Sequence, residues 1–208
     1  MAQYIGFKRA YFGILDENDK VIEIIVVEGS RGKGATVEAS ISGLTKEESS
    51  VWGSDKKYFT SGGGLGELES SLSILDLRPE HKQKILGFDD AVDGLDNIEG
   101  LSALGDETNA PYVATVLESR GLNGETALMA LPKGKYRMDE VSLETRTNDA
   151  DEPEATELTG SHEQRDDLKK GYIEFNGKEA DAKKIIDLVL AKATPQPDPE
   201  NKSTKKAA

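Results

Sequence analysis

From Leu68 to Gly87 the chain reads LESSLSILDLRPEHKQKILG. Leu68, Leu72 and Ile74 fall on one side of an alternating pattern, which predicts a strand with one buried face. The pattern stops at Pro79. Proline suits a first helical turn because its missing N–H needs no partner there, Glu80 complements the positive helix start, and Gly87 closes the end. A strand feeding a helix of about two turns is the unit around which the remaining readings fall.

Toward the N-terminus, Ser61 to Gly66 (SGGGLG) is a glycine run that leads into this strand. Before it, from Lys46 to Tyr58, lies a long polar connection. This connection and its end hold Trp52, Tyr58 and Phe59, aromatic rings that a loop does not expose without cost unless a partner covers them. The other reading folds these rings back onto the core of the same domain. Val37, Ala39 and Ile41 alternate with Glu38, Ser40 and Ser42, as in a strand with one wet face. Tyr11 to Leu15 and Val21 to Val27 are β-rich runs separated by the turn-forming DENDK, which predicts an N-terminal hairpin. The run VIEIIVV reads as buried on both faces.

Toward the C-terminus, Tyr112 to Leu117 and Thr126 to Leu131 read as strands, PKGK as a turn, and Tyr136 to Thr145 as a further strand. Its apolar parity changes at Asp139 and Glu140, as at a bulge. NDADEPE reads as the tip of a long hairpin, with a return strand through Thr156, Leu158, Gly160 and His162. Tyr172 to Phe175 is a short strand. Beyond it, Ala182, Ile185, Ile186 and Val189 share a helical stripe, with Glu179 and Asp181 at its start and Lys192 at its end. TPQPDPENKSTKKAA, residues 194–208, contains three prolines and no core-forming side chain, which predicts a disordered tail. The expected organisation is a single β-sandwich domain over residues 1–193 followed by that tail. The fold class is mainly β, with a short helix after the central strand and a C-terminal helix.

Charge limits what such a molecule can do. The net charge is −13, and two stretches carry all of it: Asp89 to Glu107 holds seven acidic and no basic residues, and Asp139 to Glu157 holds eight acidic residues against Arg146. Nucleic-acid affinity comes mainly from Lys and Arg displacing counterions, so this balance argues against a DNA-gripping surface. No cysteine is present, which removes disulfides and thiolate metal sites. No run approaches the roughly 20 apolar residues of a membrane span, and the N-terminus does not have the form of a secretion signal.

Candidate chemistry is sparse. SGGGLG fits neither the dinucleotide fingerprint nor the P-loop and is followed by a strand. DDAVDGLDNIEG, residues 89–100, resembles a calcium loop at Asp93 and Gly94, but Ala91 and Gly100 stand where two ligands belong. His81 and His162 lack metal or nucleophile spacing and read as surface residues. No catalytic, cofactor-binding or metal-binding residue is assigned.

The stretch from Gly34 to Phe88 contains ATVEASISGLTKE, YFTSGGGLGELESSLSILDL and RPEHKQKILGF in that order. Together with GFKRAYFGILDE, PYVATVLESRG, LPKGKYRMDEVSLETRT and LTGSHEQR, it resembles the major tail protein family of siphophages infecting Gram-positive bacteria. The resemblance spans roughly Gly6 to Arg165. It implies a tail-tube-like β-sandwich, rings of six subunits that stack into a tube, inner sheets lining the channel, and DNA passing without specific binding. It also implies contacts with tape-measure and other tail proteins, and a place in the virion tail after assembly in the host bacterial cytoplasm. On this reading Trp52, Tyr58 and Phe59 are subunit-interface residues, with no cofactor. The competing reading is a free-standing β-sandwich binding or adhesion module using the same aromatics.

Overall fold

The computed structural model describes residues 4–30, 32–90, 92, 95, 98, 100–142 and 154–192. Ten strands and two helices follow in the order β1 (Tyr4–Leu15), β2 (Val21–Val27), β3 (Ala35–Ser42), β4 (Ser49–Gly53), β5 (Lys56–Ser61), β6 (Leu68–Leu75), α1 (Pro79–Leu86), β7 (Val113–Gly121), β8 (Thr126–Arg137), β9 (Thr156–Glu163), β10 (Ile173–Gly177) and α2 (Glu179–Val189). The mainly β class with two helices is as expected. Outside the described residues lie most of the tip NDADEPE, Leu143 to Thr145, the 194–208 tail and half of the 89–100 loop. No helix among the described residues is long and apolar enough to cross a membrane.

Two sheets were expected; one continuous antiparallel sheet plus a small separate hairpin is found. The sheet runs β2-β1-β7-β8-β9-β6-β3, with β10 also on β8. It folds over on itself. Ala10, Phe12, Ile25, Val27, Val113 and Leu117 from one half meet Leu72, Ile74 and Leu158 from the other in a single core. Thr36 Oγ1 of β3 donates to Phe7 O of β1 at 2.8 Å, joining the halves directly. The two halves therefore act as the layers of a sandwich.

Strand β8 makes the corner. Ala127 to Ala130 pair with β7 and β10, and Lys133 to Arg137 pair with β9. PKGK is thus not a turn but the bent middle of one strand, and its register breaks where Val113 meets Gly134 and Thr115 meets Leu131. Pro132 has no N–H to lose where the strand changes partners. The strand ends at Arg137, so the parity change at Asp139 and Glu140 falls outside it.

Helix α1 closes one end of the core with Ile85 and Leu86, and Gly87 ends it at φ 70°, where a Cβ would crowd Asn109 O at 2.7 Å. Helix α2 lies on the outer face of the first half. Its stripe Ala182, Ile185, Ile186 and Val189 packs with Ala114, Val116, Leu128 and Ala130. Full burial of such a side chain stabilises by about 1.5–3 kcal/mol. Buried Arg165 holds the helix end: Nη1 donates to Val189 O at 2.7 Å and Nε to Asp167 Oδ1 at 2.7 Å. The helix leaves one side of β2 short of cover. β2 is an edge strand, and Ile22 is 60% exposed rather than buried.

Candidate assembly surface

The polar connection between β3 and β6 is a β-hairpin arm. Among the described residues β4 and β5 pair with each other and with no other strand. Their turn is two residues, Ser54 and Asp55, at φ 50° and 59°. Positive φ at both central positions gives the turn a twist that matches the strands it joins.

Glycines pinch the arm's neck. Gly43 stands at φ 70°, where a Cβ would collide with Glu67 O. A Cβ on Gly66 would lie 2.6 Å from Gly43 O and 2.8 Å from Thr45 O, and one on Gly62 would lie 2.6 Å from Glu48 Cγ. Lys46 N donates to Gly64 O at 3.2 Å across the neck. The glycine run therefore lets two chain segments pass in contact, which accounts for it without a bound phosphate.

All three aromatics singled out in the sequence sit on this arm, and none folds back onto the core. Trp52 is 68% exposed, Tyr58 85% and Phe59 57%. Val51, which is not among the aromatics singled out in the sequence, pairs directly with Phe59 and is equally exposed. The arm's three lysines, Lys46, Lys56 and Lys57, are matched by Glu47, Glu48 and Asp55, so apolar surface rather than net charge is what it presents. A second apolar surface lies near its root. Tyr4, Phe7, Ala39, Ile41, Leu44 and Met129 line a groove of about 270 Å³ between the start of β1 and β3.

Histidine placement differs from the surface reading. His162 is buried, with Nε2 2.7 Å from Ser70 Oγ and its ring edge-on to Tyr136 at 5.5 Å. Burial pushes its pKa down to about 4. Ser70 and His162 have the spacing of a nucleophile and base, yet both are buried in the sheet and neither lines a described pocket. Their bond is part of the core. His81, half-buried on α1, also has its pKa lowered by burial. Among the described residues no group of three or more His, Asp or Glu converges as a metal site, and half of the 89–100 loop lies outside them.

A family model described as phage tail tube protein matches residues 1–184, from the first strand into α2. We found no match among curated proteins. With a β-rich fold, an unpartnered apolar arm and a family match over most of its length, the chain belongs to the phage tail tube protein family, a structural and non-enzymatic component of the virion tail.

Proposed function

We propose that the protein is the major tail tube subunit of a long-tailed phage, forming six-membered rings that stack into a DNA-conducting tube. The arm carries this reading. A two-stranded ribbon is at best marginally stable alone in water, and this one exposes Val51, Trp52, Tyr58 and Phe59 together. Aromatic residues clustered on an interface are the usual anchors of protein association. A projecting arm and a groove in different places give each copy both halves of a head-to-tail contact. Such heterologous contacts make rings where the rotation closes and open stacks where it does not. Edge strands β2 and β3 supply unpaired backbone groups that a neighbour would cover. Tape-measure and other tail proteins are the expected further partners, and assembly takes place in the host cytoplasm.

Replacement of Trp52 separates this reading from a merely structural role. Trp52→Ala leaves the melting temperature of the unassembled subunit nearly unchanged, since exposed substitutions usually fall within about 0.5 kcal/mol, and it abolishes sedimentable assembly. Assembly as ready as that of the parent protein would remove the arm from the interface. A marked loss of subunit stability would show that Trp52 supports the fold instead.

A further inference from the structure

We infer that His162 is a proton latch between the two layers of the sandwich: taking up a proton opens the β3-β6-β9 layer at the β8 corner while the layer carrying α2 stays closed. The latch consists of five buried side chains on five strands. Phe12 of β1 and Thr115 of β7 come from the first layer, Ser70 of β6 and His162 of β9 from the second, and Tyr136 of the corner strand stands between them. The Tyr136 hydroxyl hydrogen-bonds Thr115 Oγ1 at 2.8 Å, and its ring meets Phe12 edge-on at 5.7 Å and His162 edge-on at 5.5 Å. Gly160 makes room for the junction. A Cβ there would lie 2.7 Å from His162 Nε2, 2.7 Å from Tyr136 Cε1 and 2.8 Å from Ser70 Oγ.

These surroundings suit a neutral imidazole and not a charged one. An imidazolium carries two N–H donors. Ser70 Oγ stands 2.7 Å from Nε2, whereas Nδ1 is buried with no hydrogen-bond partner among the described residues. The Lys133 backbone draws toward the charged form, but burial outweighs it. No carboxylate compensates. Glu69 on β6 and Glu157 and Glu163 on β9 stand in the exposed phase of their strands, and Glu163 pairs with Lys133 at 3.3 Å. On β8, Lys133 also reaches Asp19 at 2.9 Å, Lys135 reaches Asn109 Oδ1 at 2.8 Å, and burial keeps Tyr136 neutral. Lys8 and Arg9 of β1 are occupied with Glu118 of β7 at 2.6 Å and 3.2 Å. A proton on His162 is therefore an unpaired buried charge, which a closed core does not tolerate.

Which layer opens follows from where the cores lie. The first layer is apolar on both faces: its inner face belongs to the shared core, and its outer face packs with α2 in a second cluster that contains no member of the latch. The second layer has the shared core alone. Its outward phase is hydroxyl and carboxylate, as in the paired row Ser40, Ser71 and Thr159. Once charge on His162 uncouples the shared core, the second cluster and Arg165 still hold the first layer, and no second core holds the other. The bond from Thr36 to Phe7 O between the layers has no titratable member. Such a layer opens as one cooperative unit.

An exposed imidazole titrates near its ordinary 6.5 and the latched one at about 4, so the open form takes the proton first. The latch holds fully above pH 6.5 and is lost as the pH falls from there toward 4. Between pH 7 and pH 5, where most carboxylates keep their charge, the open population rises about twentyfold. Hydrogen exchange of the unassembled full chain, corrected for the intrinsic pH dependence of amide exchange, reads this directly. We expect protection in β6 and β9 to fall about twentyfold over that range and protection in β7, β10 and α2 to hold. His81→Gln behaves like the parent, and His162→Gln loses the response. Equal loosening of both layers, a response that survives His162→Gln, or one that disappears in His81→Gln overturns the latch. Should His162→Gln not fold, the parent decides: selective loss in β6 and β9 by pH 5 supports the latch, and unchanged protection down to pH 5 overturns it. None of this requires assembly, so failure of the latch leaves the tube reading untouched.

Discussion

His162 shows how a single position is set by its neighbours. The ring occupies space that Gly134 and Gly160 leave free: a Cβ on Gly134 would collide with Nδ1, and one on Gly160 would lie 2.7 Å from Nε2. Tyr136 adds a hydrogen bond with Thr115 at 2.8 Å, and burial raises its pKa to about 12. The folded state keeps His162 neutral down to about pH 4, against an ordinary value of 6.5. Its neutrality is therefore fully compatible with the fold above pH 6.5. As pH falls through this window the unfolded chain takes the proton first, and roughly 3 kcal/mol of stability is lost by pH 4. With only two histidines in the chain, NMR titration of the unassembled subunit resolves this group. We expect no His162 titration above pH 5 and a melting temperature that falls between pH 6.5 and 4; a His162 midpoint near 6.5 would contradict the buried placement. Hydropathy ranks histidine as polar, which hid its burial. The period-two pattern of Thr156, Leu158, Gly160 and His162 carried the correct signal, because Leu158 fixes the buried phase.

At the scale of elements, α2 was legible and its anchor was not. The 3.6-residue stripe places Ala182 and Val189 on the buried side, but a buried arginine leaves no trace in a hydropathy pattern. Arg165 replaces the cap that α2 lacks, since its last turn holds no basic residue. Charged hydrogen bonds of this kind are worth about 1.5–3 kcal/mol each, and they favour the negative helix end. Arg165→Met should therefore destabilise the subunit by about 3 kcal/mol and expose α2 to limited proteolysis before the sheet unfolds. Unchanged melting and unchanged cleavage would show that the apolar stripe alone docks the helix. The arm and the β8 corner were misread for a common reason. Ser54 and Asp55 lack the glycine that flags a tight hairpin, so β4 and β5 looked like loop. Pro132 and Gly134 carry turn chemistry, so one strand looked like two. In both cases pairing with a distant or reversed segment decided the outcome, and local residue preference cannot register that.

The whole molecule separates its surfaces by task. The arm and the groove near its root each present a cluster of apolar side chains, α2 covers one outer face, and the β3-β6-β9 face carries mostly Ser, Thr and Glu. This distribution suits a subunit that is folded before it assembles and that assembles through a projecting element. Sequence order and spacing were enough to indicate the family, whereas the sharing of surfaces depends on how the sheet folds over and appears only in three dimensions. Electron microscopy of the concentrated purified protein tests the account most directly. It predicts regular tubes of uniform diameter with a central channel and six subunits in each ring; discrete monomers at every concentration, or solid filaments without a channel, would contradict it.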